Sequence, residues 1–213
     1  MDIINQTIEK YCEQHTEPES ELLYTINRET HSEVLMPRML SGHLQGRFLA
    51  MLSKMIKPNN ILEIGTFTGY ASLCLLEGIQ PKGKLITIDI NEELEPRVRK
   101  YFNQHPMANQ IEYMIGNALE IIPQLNKTFD LVFIDADKVN YLNYYKMVID
   151  KVSSGGYIIA DNVLWSGKVI EQNNKPDKDT TAMLQYNKFV AEDTRVESFL
   201  LPLRDGLMIC GKK

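Results

Sequence analysis

Apolar residues in this chain change their spacing once, near residue 57. Before it, Leu22, Leu23 and Ile26, then Leu44, Phe48, Leu49, Leu52 and Met55, recur at helical intervals. "KPNN" (57–60) ends that region with a proline and turn formers. After it come short, continuous apolar runs: ILEI (61–64), KLITI (84–88), IEYMI (111–115), DLVFI (130–134) and YIIA (157–160). The stretches between them, 69–78, 92–105, 117–125 and 138–151, are long enough for helices. Strand alternating with helix predicts a parallel sheet covered on both faces, and unbroken rather than alternating hydrophobicity suits strands buried on both sides. Pro96 falls inside the helix expected over 92–105 and leaves its start open.

The end of the chain follows another rule. After a helix expected over 179–193, VESFLLPL (196–203), a tight "RDG" (204–206) and LMIC (207–210) read as a hairpin. The expectation is an α/β sheet closed by an antiparallel edge. With 213 residues the chain suits one sizeable core rather than two. We expect a single unit, 1–213, with residues 1–57 as a helical cap on an α/β core, 58–213.

Composition narrows the function classes. A hydrophobic share of 44% with 24% charged residues is that of a soluble globular protein. The formal charge of −5 gives no global field to attract nucleic acid or an anionic membrane, though a local basic patch remains open. Cys12, Cys74 and Cys210 are odd in number and far apart, so free thiols in a reducing cytoplasm are expected. "MDIINQTIEKYCEQ" lacks the basic start and apolar run of a signal peptide, and no apolar stretch nears the ~20 residues of a membrane span. The four histidines (His15, His31, His43, His105) show no metal spacing; His43 and Arg38 stand out only for flanking "MLSG".

Two stretches carry chemistry. "ILEIGTFTGYASLCL" (61–75) is a strand, a glycine turn and a helix, and ligands of open α/β sheets bind at such strand ends. The next strand ends in Asp89, an acid able to accept both hydroxyls of a ribose. A nicotinamide cofactor wants GxGxxG, whereas this turn reads Glu63-x-Gly65-x-x-x-Gly69, and no Tyr-x-x-x-Lys pair of a short-chain dehydrogenase occurs. A cofactor without a pyrophosphate, such as S-adenosylmethionine, fits better. Its amino group would meet Glu63 or nearby carbonyls. An ordinary turn with a capping acid is the plain alternative.

In "VFIDADK" (132–138) a buried strand ends in Asp135 and Asp137, followed by Lys138. The next strand ends in Asp161-Asn162. Consecutive parallel strands lie side by side or nearly so, which brings two carboxylates and an amide oxygen to one sheet edge. That all-oxygen set suits Mg²⁺, Mn²⁺ or Ca²⁺ rather than zinc. A cation would also turn repulsion between neighbouring acids into ligation. The plain alternative is that these acids cap helices or turns.

With these residues in view the chain resembles the cation-dependent O-methyltransferases, the family of caffeoyl-CoA and catechol O-methyltransferases and many bacterial relatives. The likeness runs from about Leu35 to Cys210, through "MLSGHLQGRFL" (39–49), "EIGTFTGY" (63–70), "ITIDIN" (86–91), "GNAL" (116–119), "FIDADKVNYLNYY" (133–145), "DNVLW" (161–165) and "LPLRDGLMIC" (201–210). It implies a Rossmann-like class I methyltransferase fold with a mostly parallel seven-stranded sheet. It implies Asp135, Asp161 and Asn162 as ligands of a divalent cation, Mg²⁺ first. Cofactor contacts are implied for Glu63, for Gly65 and Thr66, for Met39 and Ser41 closing over the methionine part, and for Asp89, Ala118 and Asp137. Ala71 falls where relatives often carry serine, which implies one polar contact fewer. Lys138 matches the general-base lysine of catechol O-methyltransferase.

The implied reaction is methyl transfer from S-adenosylmethionine to one hydroxyl of a vicinal-dihydroxy phenolic substrate. Trp165 is placed either to wall that substrate or to pack, and Ser166 and Asp205 match substrate-contact positions of plant relatives, although Asp205 is also a natural turn residue. The polar stretch "WSGKVIEQNNKPDKD" (165–179) reads as a long loop near the site. The segment before "MLSG" is shorter than in plant enzymes, which argues against a coenzyme A thioester. Some bacterial relatives methylate a hydroxylated uridine in transfer RNA, and that is the alternative within the family. Relatives are commonly dimeric, so a cytoplasmic homodimer is expected.

Overall fold

The computed structural model of this protein describes residues 5–171 and 175–213. Three helices open it: α1 (Gln6–Gln14), α2 (Glu21–Glu33) and α3 (Gly42–Ile56). Asn5 and Ser20 cap the first two, their side chains accepting from Thr7 N and Leu23 N. The alternating part follows as β1 (Asn60–Ile64), α4 (Tyr70–Leu76), β2 (Lys84–Asp89), α5 (Glu95–Gln104), β3 (Ile111–Ile115), α6 (Ala118–Ile121), β4 (Phe129–Ile134), α7 (Tyr141–Val148) and β5 (Val152–Ala160). Helix α8 (Lys178–Glu192) and the hairpin β6 (Val196–Leu201) and β7 (Leu207–Lys212) complete it.

The seven strands form one sheet in the order β3-β2-β1-β4-β5-β7-β6. The first five are parallel, and β7 joins β5 and β6 antiparallel. The predicted architecture, including its antiparallel edge, is the observed one. Both sheet faces are dry, as the unbroken apolar runs predict. Ile61, Leu85, Leu131 and Phe133 pack under helices α2 to α5, while Leu62, Ile86, Val132 and Ile158 face α6, α7 and α8. The N-terminal helices therefore share a core with the sheet: Leu23, Ile26, Leu49 and Ala50 are buried in it.

Several elements differ in extent from the sequence expectation. Pro96 lies in the first turn of α5, where a missing N–H costs no helical bond, and a 3₁₀ turn, Glu92–Leu94, precedes it. The helix expected over 117–125 is one α-turn followed by a 3₁₀ turn at Ile122–Gln124, the switch falling beside Pro123. The helix expected from residue 138 begins as a 3₁₀ turn, Lys138–Asn140. Strand β5 starts at Val152, ahead of its apolar run, because Val152 pairs with Phe129 of β4; the register then shifts, and pairing resumes at Tyr157 with Leu131. Within the polar stretch 165–179, Trp165–Ile170 folds as a 3₁₀ turn with Ser166 and Gly167 left-handed, and Asp177 caps α8. Residues 172–174 of that stretch lie outside the described residues.

Among the described residues no helix is long and apolar enough to cross a membrane. Cys74 and Cys210 are buried thiols, and Cys12 is half-buried.

Candidate active site

The parallel register lines up four strand ends. Ile64 pairs with Ile88 on one side and Ile134 on the other, and Ile134 pairs with Ala160. The ladder continues one step further: Gly65 N donates to Ile88 O (2.9 Å), Asp135 N to Ile64 O (2.8 Å) and Asp161 N to Ile134 O (2.9 Å). Gly65, Asp89, Asp135 and Asp161 thus stand in a row at the carboxyl edge. The chain reverses its strand order there, between β1 and β4, which is where open α/β sheets bind ligands.

Gly65 is required by this row. Its φ is +99°, and a Cβ on it would sit 1.8 Å from the Asp135 carbonyl oxygen. Beside it lies a groove lined by Met39, Leu40, Ser41, Thr66, Phe67 and Asp135, with Thr68, Tyr70 and Ala71. Sequence reasoning named Met39, Ser41, Gly65, Thr66 and Ala71 for a cofactor, and all five meet there.

The other expected cofactor residues are placed differently. Glu63 is fully buried behind the turn. Its Oε2 accepts from the hydroxyls of Ser72 and Thr87, the latter at 2.5 Å, while Oε1 has no partner. Burial raises its carboxyl to about 8 against the pull of those hydroxyls, and the charges of Asp135 and Asp89 add to the rise. Asp89 clips the glycine turn to β2. Its Oδ2 accepts from Thr66 N (2.9 Å) and Phe67 N (2.7 Å), and its Oδ1 from Asn91 N (2.8 Å). Ala118 opens α6 behind its cap Asn117. Asp137 is exposed, and its oxygens accept from Tyr144 Oη (2.5 Å) and Asn140 Nδ2 (2.6 Å).

Asp161 is almost wholly buried. Its Oδ2 accepts from Gln45 Nε2 (2.6 Å) and Oδ1 from Asn162 N (2.6 Å). Desolvation, and then the charge of Asp135, push its carboxyl well above the usual range. That is the signature of two acids facing one small volume. Asn162 is left-handed (φ 58°), a conformation that asparagine tolerates better than most residues. No three His, Cys, Asp or Glu side chains converge among the described residues, so a cation here would rest on two carboxylates and the Asn162 amide. An all-oxygen set with two acids at neighbouring strand ends fits a hard divalent ion.

Lys138 is buried beside this pair. Nζ donates to Tyr141 Oη (2.6 Å), Ala136 O (3.0 Å) and Asp135 Oδ1 (3.2 Å). It also lies 4.6 Å from the Tyr141 ring centre and 5.8 Å from that of Trp165. Trp165, expected either to wall a substrate or to pack, does pack against the core and lies over Lys138, with its indole N–H unpartnered. Ser166 N donates to Asp205 Oδ1, so these two expected substrate residues bond to each other. Gln45 and Arg204 received no role from the sequence, and Tyr141 reads there, with Tyr144 and Tyr145 on the same helix, as a packing residue. All three lie inside quoted motifs, but only the fold brings them to the site.

The O-methyltransferase family model matches residues 13–213. Caffeoyl-CoA O-methyltransferase 2 of Petunia hybrida is 38% identical over 177 residues, covering 78% of this chain and 73% of that protein. Among solved structures, the SAH-bound O-methyltransferase from Bacillus cereus superposes with a TM-score of 0.89 at 27% identity, covering 97% of each chain. TomG from Streptomyces achromogenes, an O-methyltransferase solved with SAM, gives 0.88 at 26% identity over 97% of this chain and 96% of its own. A family match over nearly the whole length, on a fold whose strand ends gather these acids, places this chain in the O-methyltransferase family.

Proposed function

We propose that this protein is an S-adenosylmethionine-dependent O-methyltransferase that needs a divalent cation and methylates one hydroxyl of a vicinal-dihydroxy aromatic small molecule. The observation that carries the reading is the adjacency of Asp135 and Asp161 at neighbouring strand ends, beside the Gly65 turn. The cofactor is supported by the groove at that turn and by the SAM and SAH bound to similar structures. A nicotinamide dehydrogenase does not fit a member of this family.

The residues divide the work by position. Asp135, Asp161 and Asn162 would hold the cation, which when bound supplies a Lewis acid that makes a phenolic hydroxyl easier to ionise. Met39, Leu40 and Ser41 would cover one side of the cofactor, and the Gly65-Thr66 backbone the other. Lys138 is fixed by Tyr141 and the Ala136 carbonyl, and its longest contact, to Asp135, faces the carboxylate pair. As a neutral amine it would receive the acceptor's proton from that side. Orientation and electrostatics are then the chain's main contributions, with no covalent intermediate.

The test is methyl transfer from labelled S-adenosylmethionine to a panel of vicinal-dihydroxy aromatics, with Mg²⁺ or with EDTA. Transfer abolished by EDTA and by Asp161→Asn is the expected result. EDTA-resistant transfer would remove the cation from the proposal.

A further inference from the structure

We propose that Arg204 is a positioning residue for the cofactor-side wall, and that with Asp205 it makes the C-terminal hairpin turn a brace between the two sides of the site. The inference rests on the S-adenosylmethionine reading above. Arg204 Nη1 donates to Leu40 O at 2.8 Å and also to Ser41 O, both in the segment that lines the groove. Leu40 and Ser41 are themselves buried, but the segment around them is lightly tied: Leu35, Met36 and Met39 are exposed, its own backbone bonds are local ones from Met39 N to Met36 O and Leu40 N to Pro37 O, and Ser41 makes no side-chain cap on α3.

Arg204 itself is left-handed at φ 49°, a conformation that a non-glycine residue keeps only where its surroundings hold it. The next residue turns the other way. Asp205 Oδ1 accepts from Ser166 N, Asp205 O from Leu164 N (2.9 Å), and Gly206 O from Val163 N (3.1 Å). These three donors, at 163, 164 and 166, lie just past Asp161-Asn162. Two consecutive residues of one turn therefore tie down opposite walls, Arg204 the cofactor side and Asp205 the side of Trp165. Substituting them should separate the two affinities.

The experiment combines calorimetric titration with S-adenosylhomocysteine and steady-state kinetics on the protein and three variants. Arg204→Met should weaken S-adenosylhomocysteine binding roughly tenfold, the loss of one to two charge-assisted hydrogen bonds. It should raise KM for S-adenosylmethionine in step and leave the acceptor KM nearly unchanged. Arg204→Lys keeps one cationic donor and should recover part of the loss, and it serves as the test if the methionine variant does not fold. Asp205→Ala should show the opposite split, with the acceptor KM raised and S-adenosylhomocysteine affinity kept. Wild-type affinity in Arg204→Met, or equal rises of both KM values in both variants, would overturn the brace. Absence of S-adenosylhomocysteine binding in the wild type would overturn the cofactor reading itself, and the brace with it.

Discussion

Gln45 Nε2 lies 2.6 Å from Asp161 Oδ2, a contact between side chains 116 positions apart that the first turn of α3 delivers to the end of β5. Both residues are buried, and the amide donates to the oxygen that would otherwise carry unsolvated charge. Gln45 Oε1 has no hydrogen-bond partner, so no bond from that atom fixes the amide in this orientation. If Asp161 ligates a cation, Gln45 orients the ligand from behind. Gln45→Leu should then weaken Mn²⁺ binding by about tenfold or more, the usual cost of losing such a supporting contact. A calorimetric Mn²⁺ titration reads this directly. Unchanged affinity would mean that Asp161 is held well enough by the Asn162 backbone alone.

Gly65→Ala tests the row of strand ends. The added Cβ would overlap the Asp135 carbonyl at 1.8 Å, in a backbone region unfavourable to alanine. We expect a loss of about 3 kcal/mol or more, or failure to fold, because neither β1 nor β4 can move without breaking the ladder. Gly155→Ala is the control. It has a comparable φ of +77° but open space around it, so only the backbone penalty of about 1 kcal/mol should appear. Urea unfolding of the two variants separates steric from conformational cost.

These two sites also mark what could be read from the chain. Gly65, Asp135 and Asp161 were legible because each ends an apolar run, and a parallel sheet brings such ends together. The seven strands were legible for the same reason. Glu63 and Asp89 were found as acids near the turn, but not in their observed settings. Whether a strand-end acid faces a ligand or clips a loop depends on which backbone N–H groups come near, and spacing does not encode that. Gln45 and Arg204 drew no notice in the sequence because their partners are more than a hundred positions away. Ser166 and Asp205 were read as two separate substrate contacts, whereas the hairpin turn joins them.

Glu63 should make stability fall with rising pH. Its folded carboxyl is raised to about 8, above the roughly 4.3 of an unfolded glutamate, so the folded state keeps its proton longer. The stabilisation is complete below about pH 4 and is lost as pH rises through the folded value, at a slope of up to about 1.4 kcal/mol per pH unit. Glu63→Gln keeps the shape and removes the titration. The Ser72 and Thr87 hydroxyls can turn to suit the amide. The difference in unfolding free energy between wild type and Glu63→Gln, measured in EDTA from about pH 5 to about pH 8, should therefore drift in favour of the variant. A flat difference would show that the carboxyl is ionised in the fold throughout.

Tyr141 and Lys138 make the last test. The phenol is fully buried, receives Nζ at 2.6 Å and stands 3.4 Å from the Ile134 carbonyl, so it serves the lysine and little else. Tyr141→Phe leaves the ring packing against Tyr186 intact and takes away one of three acceptors from the buried Lys138 Nζ. Such a loss should cost about 1–3 kcal/mol by urea unfolding. Lys138→Met removes the donor as well, so the double variant should be little less stable than Lys138→Met alone. If the two costs add in full, the hydroxyl and the amine do not depend on each other. Tyr141 would then be a packing residue only, as its place among the helix tyrosines first suggests.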